Sequence, residues 1–277
     1  MVRSTFSLAA LLLGACAGGA STADTSAANG PAPAAGAAAA ATTAAPTDGR
    51  ALVRQMHGRY AGKWYRTLTF TQKTTFTGPE GQTREETWYE AGSIPGKLRI
   101  DVAPLDSMNA FMFVGDSAFV FRGGKRVNAR ADRNELMTLG FDVYGQSPDT
   151  TEAQLTGLGF DLGTISEGTW QGKPVWIVGA AAGDTTANQF WIEKDRLLFV
   201  RLLKNEQNPQ GAVRLDVTFD RYEPLGQGWI APLVLINVNG RPYMREEYSD
   251  VRADTPLDAS LYDTRSYQKP GWVGAAN

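Results

Sequence analysis

The chain has 277 residues, and its 27 basic and 29 acidic side chains leave a net charge of −2. This balance gives no reason to expect nucleic acid as a partner, because binding to phosphate backbones depends on clustered positive charge. The whole chain holds one cysteine and one histidine. That composition excludes an internal disulfide and a transition-metal site of ordinary ligand composition.

The first sixteen residues have the parts of a secretory signal peptide in their usual order. Arg3 supplies the positive charge, and residues 6–13 form an apolar stretch that is shorter than the roughly 20 residues needed to cross a bilayer. Residues 13–16 read Leu-Gly-Ala-Cys. This run resembles the lipobox of bacterial lipoproteins, and the alternative is an ordinary signal peptide with an incidental cysteine.

The lipobox resemblance implies that Cys16 is lipidated and becomes the mature N-terminus, which would anchor the chain to a membrane. Ala17 follows it. In Gram-negative lipoproteins an Asp at that position favours retention in the inner membrane, so the resemblance points to the outer membrane, facing the periplasm. Residues 1–15 are therefore the predicted signal peptide.

The next segment, residues 16–46, is almost entirely Ala, Gly, Ser, Thr and Pro after the cysteine, with Asp24 as its only charge. Such a composition cannot build a core and is typical of a flexible tether. Its r.m.s. reach would be roughly 30 Å, from about 5–6 Å times the square root of the residue number. Residues 47–277 are the predicted folded domain.

A helix is predicted first in this domain, because Thr47 or Asp48 can cap it and apolar residues from Leu52 to Tyr60 recur at helical spacing. The period then changes to two. Strands are predicted near residues 64–71, 83–90 and 97–102, and a hairpin is predicted around residues 115–117.

The middle of the domain differs, since residues 133–139 and 150–158 have a helical pattern. Strands then resume and end in a hairpin at Asn239-Gly240, a strong turn signal. Tight turns between neighbours imply antiparallel pairing, and a sheet this long tends to curl. The prediction is an α+β fold in which a curved antiparallel sheet forms an incomplete β-barrel, with helices covering its concave face.

Four short segments in the first half carry a family resemblance, namely residues 68–73, 87–89, 95–101 and 117–121. Their order and composition resemble the outer-membrane lipoprotein carrier and receptor superfamily, mainly over residues 51–121. The resemblance implies an incomplete barrel closed by helices. The carrier fastens its helical lid with an Arg just before the Pro of the third segment, whereas Ile94 precedes Pro95 here, so that role is not transferred.

The same resemblance implies non-covalent binding of the acyl chains of a lipid or a lipoprotein. Such a site needs a concave apolar surface with few polar anchors. For each candidate lining residue the alternative is an ordinary core position. The candidates are Trp64, Leu68, Phe70, Leu98, Ile100, Phe119 and Phe121.

Catalysis is poorly supported by the sequence. His57 lies in the predicted first helix, and adjacent residues in a strand point to opposite faces, so neither Glu85-Glu86 nor Glu246-Glu247 forms a carboxylate pair. We expect both pairs at solvated edges. No phosphate-binding or dinucleotide-binding loop has the required spacing, so no cofactor is predicted.

The leading hypothesis is therefore a lipid-anchored envelope protein, not an enzyme, that binds acyl chains. The second hypothesis is an interaction module that uses the half-barrel as a docking surface for another envelope protein. No metal site and no nucleic-acid partner are expected.

Overall fold

The computed structural model describes residues 44–208 and 211–273. The predicted signal peptide, Cys16 and nearly all of the predicted tether lie outside these residues. Those three predictions, and the boundaries of the folded domain, therefore stay predictions.

The described residues form three α-helices and fifteen strands. The helices are α1 (Gly49–Tyr60), α2 (Glu135–Gly140) and α3 (Pro148–Gly157), and short 3-10 helices occur at Leu105–Ser107, Asp142–Tyr144 and Ala259–Tyr262. The strands are β1 (Thr67–Thr77), β2 (Thr83–Ser93), β3 (Lys97–Val102), β4 (Asn109–Val114), β5 (Ser117–Arg122), β6 (Lys125–Ala131), β7 (Ile165–Trp170), β8 (Lys173–Val178), β9 (Gln189–Glu193), β10 (Leu198–Asn208), β11 (Gly211–Asp220), β12 (Glu223–Leu225), β13 (Gly228–Ile230), β14 (Leu233–Val238) and β15 (Arg241–Ala253).

Thirteen of the strands form one sheet, in the order β6-β5-β4-β3-β2-β1-β15-β14-β11-β10-β9-β8-β7, while β12 and β13 pair separately. All pairings within the sheet are antiparallel. The edge strands β6 and β7 do not pair with each other, so the barrel is incomplete. The predicted fold class is confirmed.

The two edge strands are consecutive in sequence, and residues 132–164 connect them. This connection, which we call the cover segment, contains α2, the 3-10 helix Asp142–Tyr144 and α3. It packs with α1 against the concave face of the sheet, and residues from all of these elements share one core. The sequence pattern correctly placed its helices in the middle of the domain.

Local turn chemistry explains why neighbouring strands pair. Asn239 and Gly240 both have positive φ angles, 52° and 75°, as a two-residue hairpin requires, and they join β14 to β15. Gly115, at φ 58°, makes the turn from β4 to β5. The segment before the Asn239-Gly240 hairpin, residues 228–238, is divided into two strands, because Pro232 between β13 and β14 cannot donate a ladder hydrogen bond.

The core is filled unevenly along the concave face. Over β7 to β11 the helices α1 and α3 cover a dense cluster, in which Phe160 packs edge-on against Phe190 and Phe199 against Phe219. Asp48 caps α1 by accepting a hydrogen bond from the amide of Ala51 at 2.7 Å, as the sequence predicted. Over β1 to β4 the cover is thinner.

The convex face carries a second packed layer near β3 to β5. Residues 254–273, which follow β15, form what we call the C-terminal segment. Its Leu261 and Tyr262 pack there against Ala110, Met112 and Phe121. The segment therefore lies against the outside of the sheet and shields these side chains from water.

A buried ion pair fastens this C-terminal segment. Arg99 donates from Nε and Nη2 to the two carboxylate oxygens of Asp101, at 2.7 and 2.8 Å, and both side chains are fully buried. Arg99 also donates to the backbone carbonyls of Leu261, at 2.9 Å, and of Gln268. The ring of Tyr267 lies 4.7 Å from the guanidinium carbon. One side chain thus links β3 to the last described part of the chain.

Replacing Arg99→Met should lower the free energy of unfolding by about 3–5 kcal/mol, because it leaves the buried Asp101 carboxylate without a partner. Urea unfolding followed by circular dichroism measures this loss. The matched control is Arg265→Met, which removes a similar pair with Asp263 from a fully exposed position. Its unfolding midpoint should stay close to that of the wild type, and equal losses in both variants would contradict a special role for Arg99.

Candidate functional site

A cleft lies between the concave face of the sheet and the part of the cover segment that carries α2. It encloses a cavity of about 70 Å³, and the rest of its space is open to solvent at the mouth. Small-molecule sites typically enclose about 300–1,000 Å³. A ligand of that size would therefore require the cleft to widen.

The floor of the cleft is formed by β1, β2, β3, β4, β11 and β15 and is largely apolar. Residues that lie directly opposite each other on neighbouring strands place their side chains on the same face of the sheet, so side chains from several strands meet on this floor. The apolar floor residues are Leu68, Phe70, Trp88, Ile94, Leu98, Ile100, Phe111, Phe113, Phe219 and Met244.

The opposite wall is formed by Asn134, Leu136, Met137 and Phe141. Asn134 caps α2, since its side-chain oxygen accepts from the amides of Leu136 and Met137 at 3.0 and 3.1 Å. Leu136 and Phe141 are only partly buried. This wall therefore presents apolar side chains that a ligand could still cover.

Two contacts hold α2 close to the sheet. Glu135 accepts a hydrogen bond from the ammonium of Lys204 on β10 at 3.2 Å, and both side chains are buried. A Cβ at Gly140 would lie 2.8 Å from Cε2 of Phe219, so a larger residue there would push the helix away.

The 3-10 helix Asp142–Tyr144 provides further attachments. The hydroxyl of the fully buried Tyr144 donates to the carbonyl of Leu197 and accepts from the amide of Phe199, each at 3.2 Å. Asp142 accepts from the amide of Gly96, in the turn between β2 and β3, at 2.9 Å. The cover segment is thus fastened to both halves of the sheet.

Burial raises the pKa of Asp142 to about 6, although the amide of Gly96 and the charge of Arg133 act in the opposite direction. The Asp142 side chain is fully buried, and the Oδ2 atom accepts no hydrogen bond from a described residue. Ionising this carboxyl is therefore unfavourable in the folded protein.

Two further carboxyl groups belong to the floor of the cleft. Glu90 on β2 and Glu246 on β15 are 5 % and 8 % exposed. The hydroxyl of Tyr248 donates to Oε2 of Glu246 at 2.9 Å. Burial raises the pKa of Glu246 to about 7, and burial together with the charge of Glu246 raises the pKa of Glu90 well above its usual value.

Four of the candidate lining residues do line this cleft, namely Leu68, Phe70, Leu98 and Ile100. They come together because β1 and β3 both pair with β2, and the alternation of each strand brings these side chains to the concave face.

The other three candidates lie elsewhere. Trp64 precedes β1 and stacks on Tyr144 at 3.9 Å beneath the cover segment. Phe119 and Phe121 pair with Met112 and Ala110, which point to the convex face, and Phe121 packs under the C-terminal segment. Their assignment to the cleft is corrected, since the alternation is clear from sequence but the face that it presents is not.

Sequence reasoning missed several floor residues, and it placed one of them wrongly. Glu246 was expected at a solvated edge, but it is buried on the concave face between β1 and β14. Trp88, Glu90 and Gly92 are every second residue of β2, so they share one face of the strand, and that face lines the cleft. His57, by contrast, lies on α1 and takes no part in the cleft.

Within residues 44–208 and 211–273 no cluster of three or more His, Cys, Asp or Glu side chains is placed to bind a metal ion. Among those same residues, no helix has the length and apolar character to cross a membrane.

Comparison with solved structures identifies the architecture around this cleft. A DUF1329 family protein from Desulfovibrio piger has a TM-score of 0.53 and 14 % identity, over 78 % of this chain and 95 % of its own. A protein from Vibrio parahaemolyticus is provisionally named an outer membrane lipoprotein-sorting protein domain. It has a TM-score of 0.51 and 13 % identity, over 77 % of this chain and 95 % of its own. The chain shares the fold of these two proteins.

This result confirms the resemblance seen in the sequence at the level of fold. A LolA superfamily protein from Nitrosomonas europaea is more distant, with a TM-score of 0.48 and 9 % identity, over 76 % of this chain and 96 % of its own. No family model matches the chain, and no curated protein matches its sequence. At such low identity the likeness establishes the fold alone.

The variant Asp142→Asn tests the buried carboxyl in the cover segment. Because the folded-state pKa is raised to about 6, protonation stabilises the fold, an effect complete below about pH 4 and lost as the pH rises through 6. At pH 8 the neutral Asn should therefore raise the free energy of unfolding by up to about 3 kcal/mol, at 1.36 kcal/mol per pKa unit.

Urea unfolding at pH 4.5 and pH 8 measures this difference, which should shrink at the lower pH. Asp149→Asn, an exposed position in α3, is the control and should show the same difference from the wild type at both pH values. A gain for Asp142→Asn that does not change with pH would show that burial of the charge is not its cause.

Proposed function

We propose that this chain is a lipid-anchored protein of the bacterial cell envelope that binds the acyl chains of lipids or lipoproteins in the cleft. Binding is non-covalent, and no bond of the ligand is made or broken. The observation that carries the proposal is the unfilled, mainly apolar cleft between α2 and the floor strands.

The shape of the core supports this proposal. Over β7 to β11 aromatic and aliphatic side chains fill the concave face, whereas over β1 to β4 the single short helix α2 leaves a gap. Apolar surface that the protein leaves uncovered is favourable for burying hydrocarbon, at roughly 25 cal/mol per Å² removed from water. An acyl chain has this chemistry along its whole length.

The predicted lipid anchor at Cys16 gives the proposed activity a location. With residues 16–46 as a flexible tether, the half-barrel would work within roughly 30 Å of the membrane surface. We place it at the outer membrane, facing the periplasm, from the lipobox resemblance and Ala17. The solved structure from Vibrio parahaemolyticus, provisionally named for outer membrane lipoprotein sorting, has the same fold and supports the same setting.

Ligand entry would require the cover segment to move, because Leu136, Met137 and Phe141 form one wall of the cleft. The hydrogen bond from Gly96 to Asp142 is the attachment nearest the floor strands β2 and β3. The bonds of Tyr144 to β10 hold the other half. We infer that the cover opens on the β2–β3 side while it remains attached to β10.

Filling the cleft tests this function directly. Gly92 lies on the floor, its φ angle is not in the left-handed region, and a Cβ there would meet only atoms at 3.8 Å or more. Gly92→Phe should therefore direct a ring into the cleft from an unhindered Cβ position and weaken binding of a fluorescent fatty acyl probe at least tenfold. Fluorescence titration of the full-length chain carrying Cys16→Ser measures the affinity.

The matched control is Gly58→Phe, on an exposed face of α1 where nothing lies within 4 Å of an added Cβ. It should bind the probe as the parent does. Absence of probe binding by the parent, together with no lipid in mass spectra of the protein purified from cells, would overturn the proposal and favour the docking-module hypothesis.

The anchor has its own test. Cys16→Ser removes the predicted lipid attachment, so the protein should move from the membrane fraction to the soluble fraction after cell lysis. Immunoblotting of both fractions measures this change. A Cys16→Ser protein that still sediments with membranes would count against lipidation without affecting the cleft.

A further inference from the structure

Glu90 occupies an unusual place for a carboxyl group. It lies in the middle of the cleft floor, opposite Phe70 on β1 and Ile100 on β3, and it is 5 % exposed. No hydrogen bond joins its carboxyl group to another described residue, and the side chain keeps only slight contact with solvent. Ionising this group in an apolar cleft is costly, so a cationic donor from a ligand would stabilise its charged form.

Other acceptors surround the same part of the floor. Glu246 receives one hydrogen bond, from the hydroxyl of Tyr248, and no second donor from the described part of the chain reaches it. Gln72 on β1 lies opposite Tyr248 of β15 and Trp88 of β2 in the strand register. Its buried Oε1 atom has no hydrogen-bond partner among the described residues. Three side chains on one face thus present acceptors that are not saturated.

No described lining residue of the cleft is a lysine, arginine or histidine. On the same face Arg84 is bound to Glu86, and Glu86 also accepts from the indole of Trp88. On the neighbouring strands Arg99 points to the convex face, where it pairs with Asp101, and Arg245 pairs with Glu247. On the cover segment Glu135 is bound to Lys204.

The chain therefore places two carboxyl groups in an apolar cleft and directs its own cations elsewhere. A purely apolar ligand that lay across the floor would cover Glu90 and remove its remaining contact with water. A ligand with an ammonium group would instead supply hydrogen-bond donors and a positive charge where both are missing. Charge-assisted hydrogen bonds are the stronger kind, and the low polarity around them strengthens them further.

We propose that the ligand of the cleft is an amine-bearing amphiphile, whose ammonium group binds to Glu90 and Glu246 while its hydrocarbon chain lies on the aromatic floor. This inference rests on the proposed function, since it names the class of acyl ligand that the same cleft takes. Phe70 and Tyr248, stacked at 4.2 Å, form the apolar surface between the two carboxyl groups.

The test compares three probes of equal chain length, dodecylamine, dodecanol and dodecanoate, as competitors of the fluorescent acyl probe. The protein is the full-length chain carrying Cys16→Ser. At pH 8 dodecylamine should bind at least about tenfold more tightly than dodecanol, since a hydrogen bond to a charged group contributes about 1.5–3 kcal/mol and 1.4 kcal/mol is tenfold. Dodecanoate should bind most weakly, because the ionised carboxylate of Glu246 repels its negative charge.

Glu90→Gln with Glu246→Gln should reduce the ratio between dodecylamine and dodecanol to about one. Each change keeps the shape of the side chain and removes a buried ionisable group, and circular dichroism checks that the variant folds. The matched control is Glu247→Gln, which lies next to Glu246 but points to the other face of β15 and pairs with Arg245. It should keep the preference for the amine.

The pH dependence of the unmutated cleft is an independent readout. A primary amine keeps its charge up to about pH 10, whereas the carboxyl groups of the cleft lose their protons as the pH rises through about 7 for Glu246. The advantage of dodecylamine over dodecanol should therefore grow from pH 5 to pH 8. In the double Gln variant it should not change with pH.

Two phospholipid probes distinguish the source of the amine. Lysophosphatidylethanolamine bound in preference to lysophosphatidylglycerol would identify a lipid headgroup, and dodecylamine bound with no such preference would identify a simple long-chain amine. Equal binding of dodecylamine and dodecanol by the unmutated cleft, or an amine preference that survives in the double variant, would overturn this inference and leave the proposed function standing. Failure of every probe to bind would instead overturn the proposed function.

Discussion

One constraint shapes the fold: a single thirteen-stranded sheet has one long concave face, and among residues 44–208 and 211–273 it is residues 132–164 and α1 that cover it. A sheet face is stable only when another layer buries it. Two longer helices cover one half, and the six-residue helix α2 covers the other. The cleft is the part of this face that the described residues leave unfilled.

The buried ionisable side chains on the two faces of the sheet differ in whether they have a partner. On the convex side Arg99 and Asp101 satisfy each other and hold the C-terminal segment, so that face is closed. On the concave side Glu90 has no such partner. The same strands β2 and β3 thus present a saturated ion pair outward and an unsatisfied carboxyl group inward. The outward pair is satisfied within the protein, whereas burial opposes ionisation of the inward group.

The sequence carried the order of elements and the period of each strand, and so the fold class could be predicted. Leu68, Phe70, Leu98 and Ile100 lie together on the cleft floor because β1 to β3 follow one another through short turns. Alternation alone does not say which face is concave, so Phe119 and Phe121 were given the wrong side. The burial of Glu246 depends on its pairing with Thr74, far away in the sequence, and no local pattern contains that information.

The seam between β1 and β15 bears on how the protein folds. Leu68 lies opposite Ala253, while the other pairings of the described sheet join strands near each other in sequence. Each half is a meander of hairpins that can form from local contacts, whereas the seam brings distant segments together at a cost in chain entropy. The cleft floor crosses this seam at Phe70 and Tyr248. The part of the floor between Phe70 and Tyr248 therefore forms only when this long-range pairing is made.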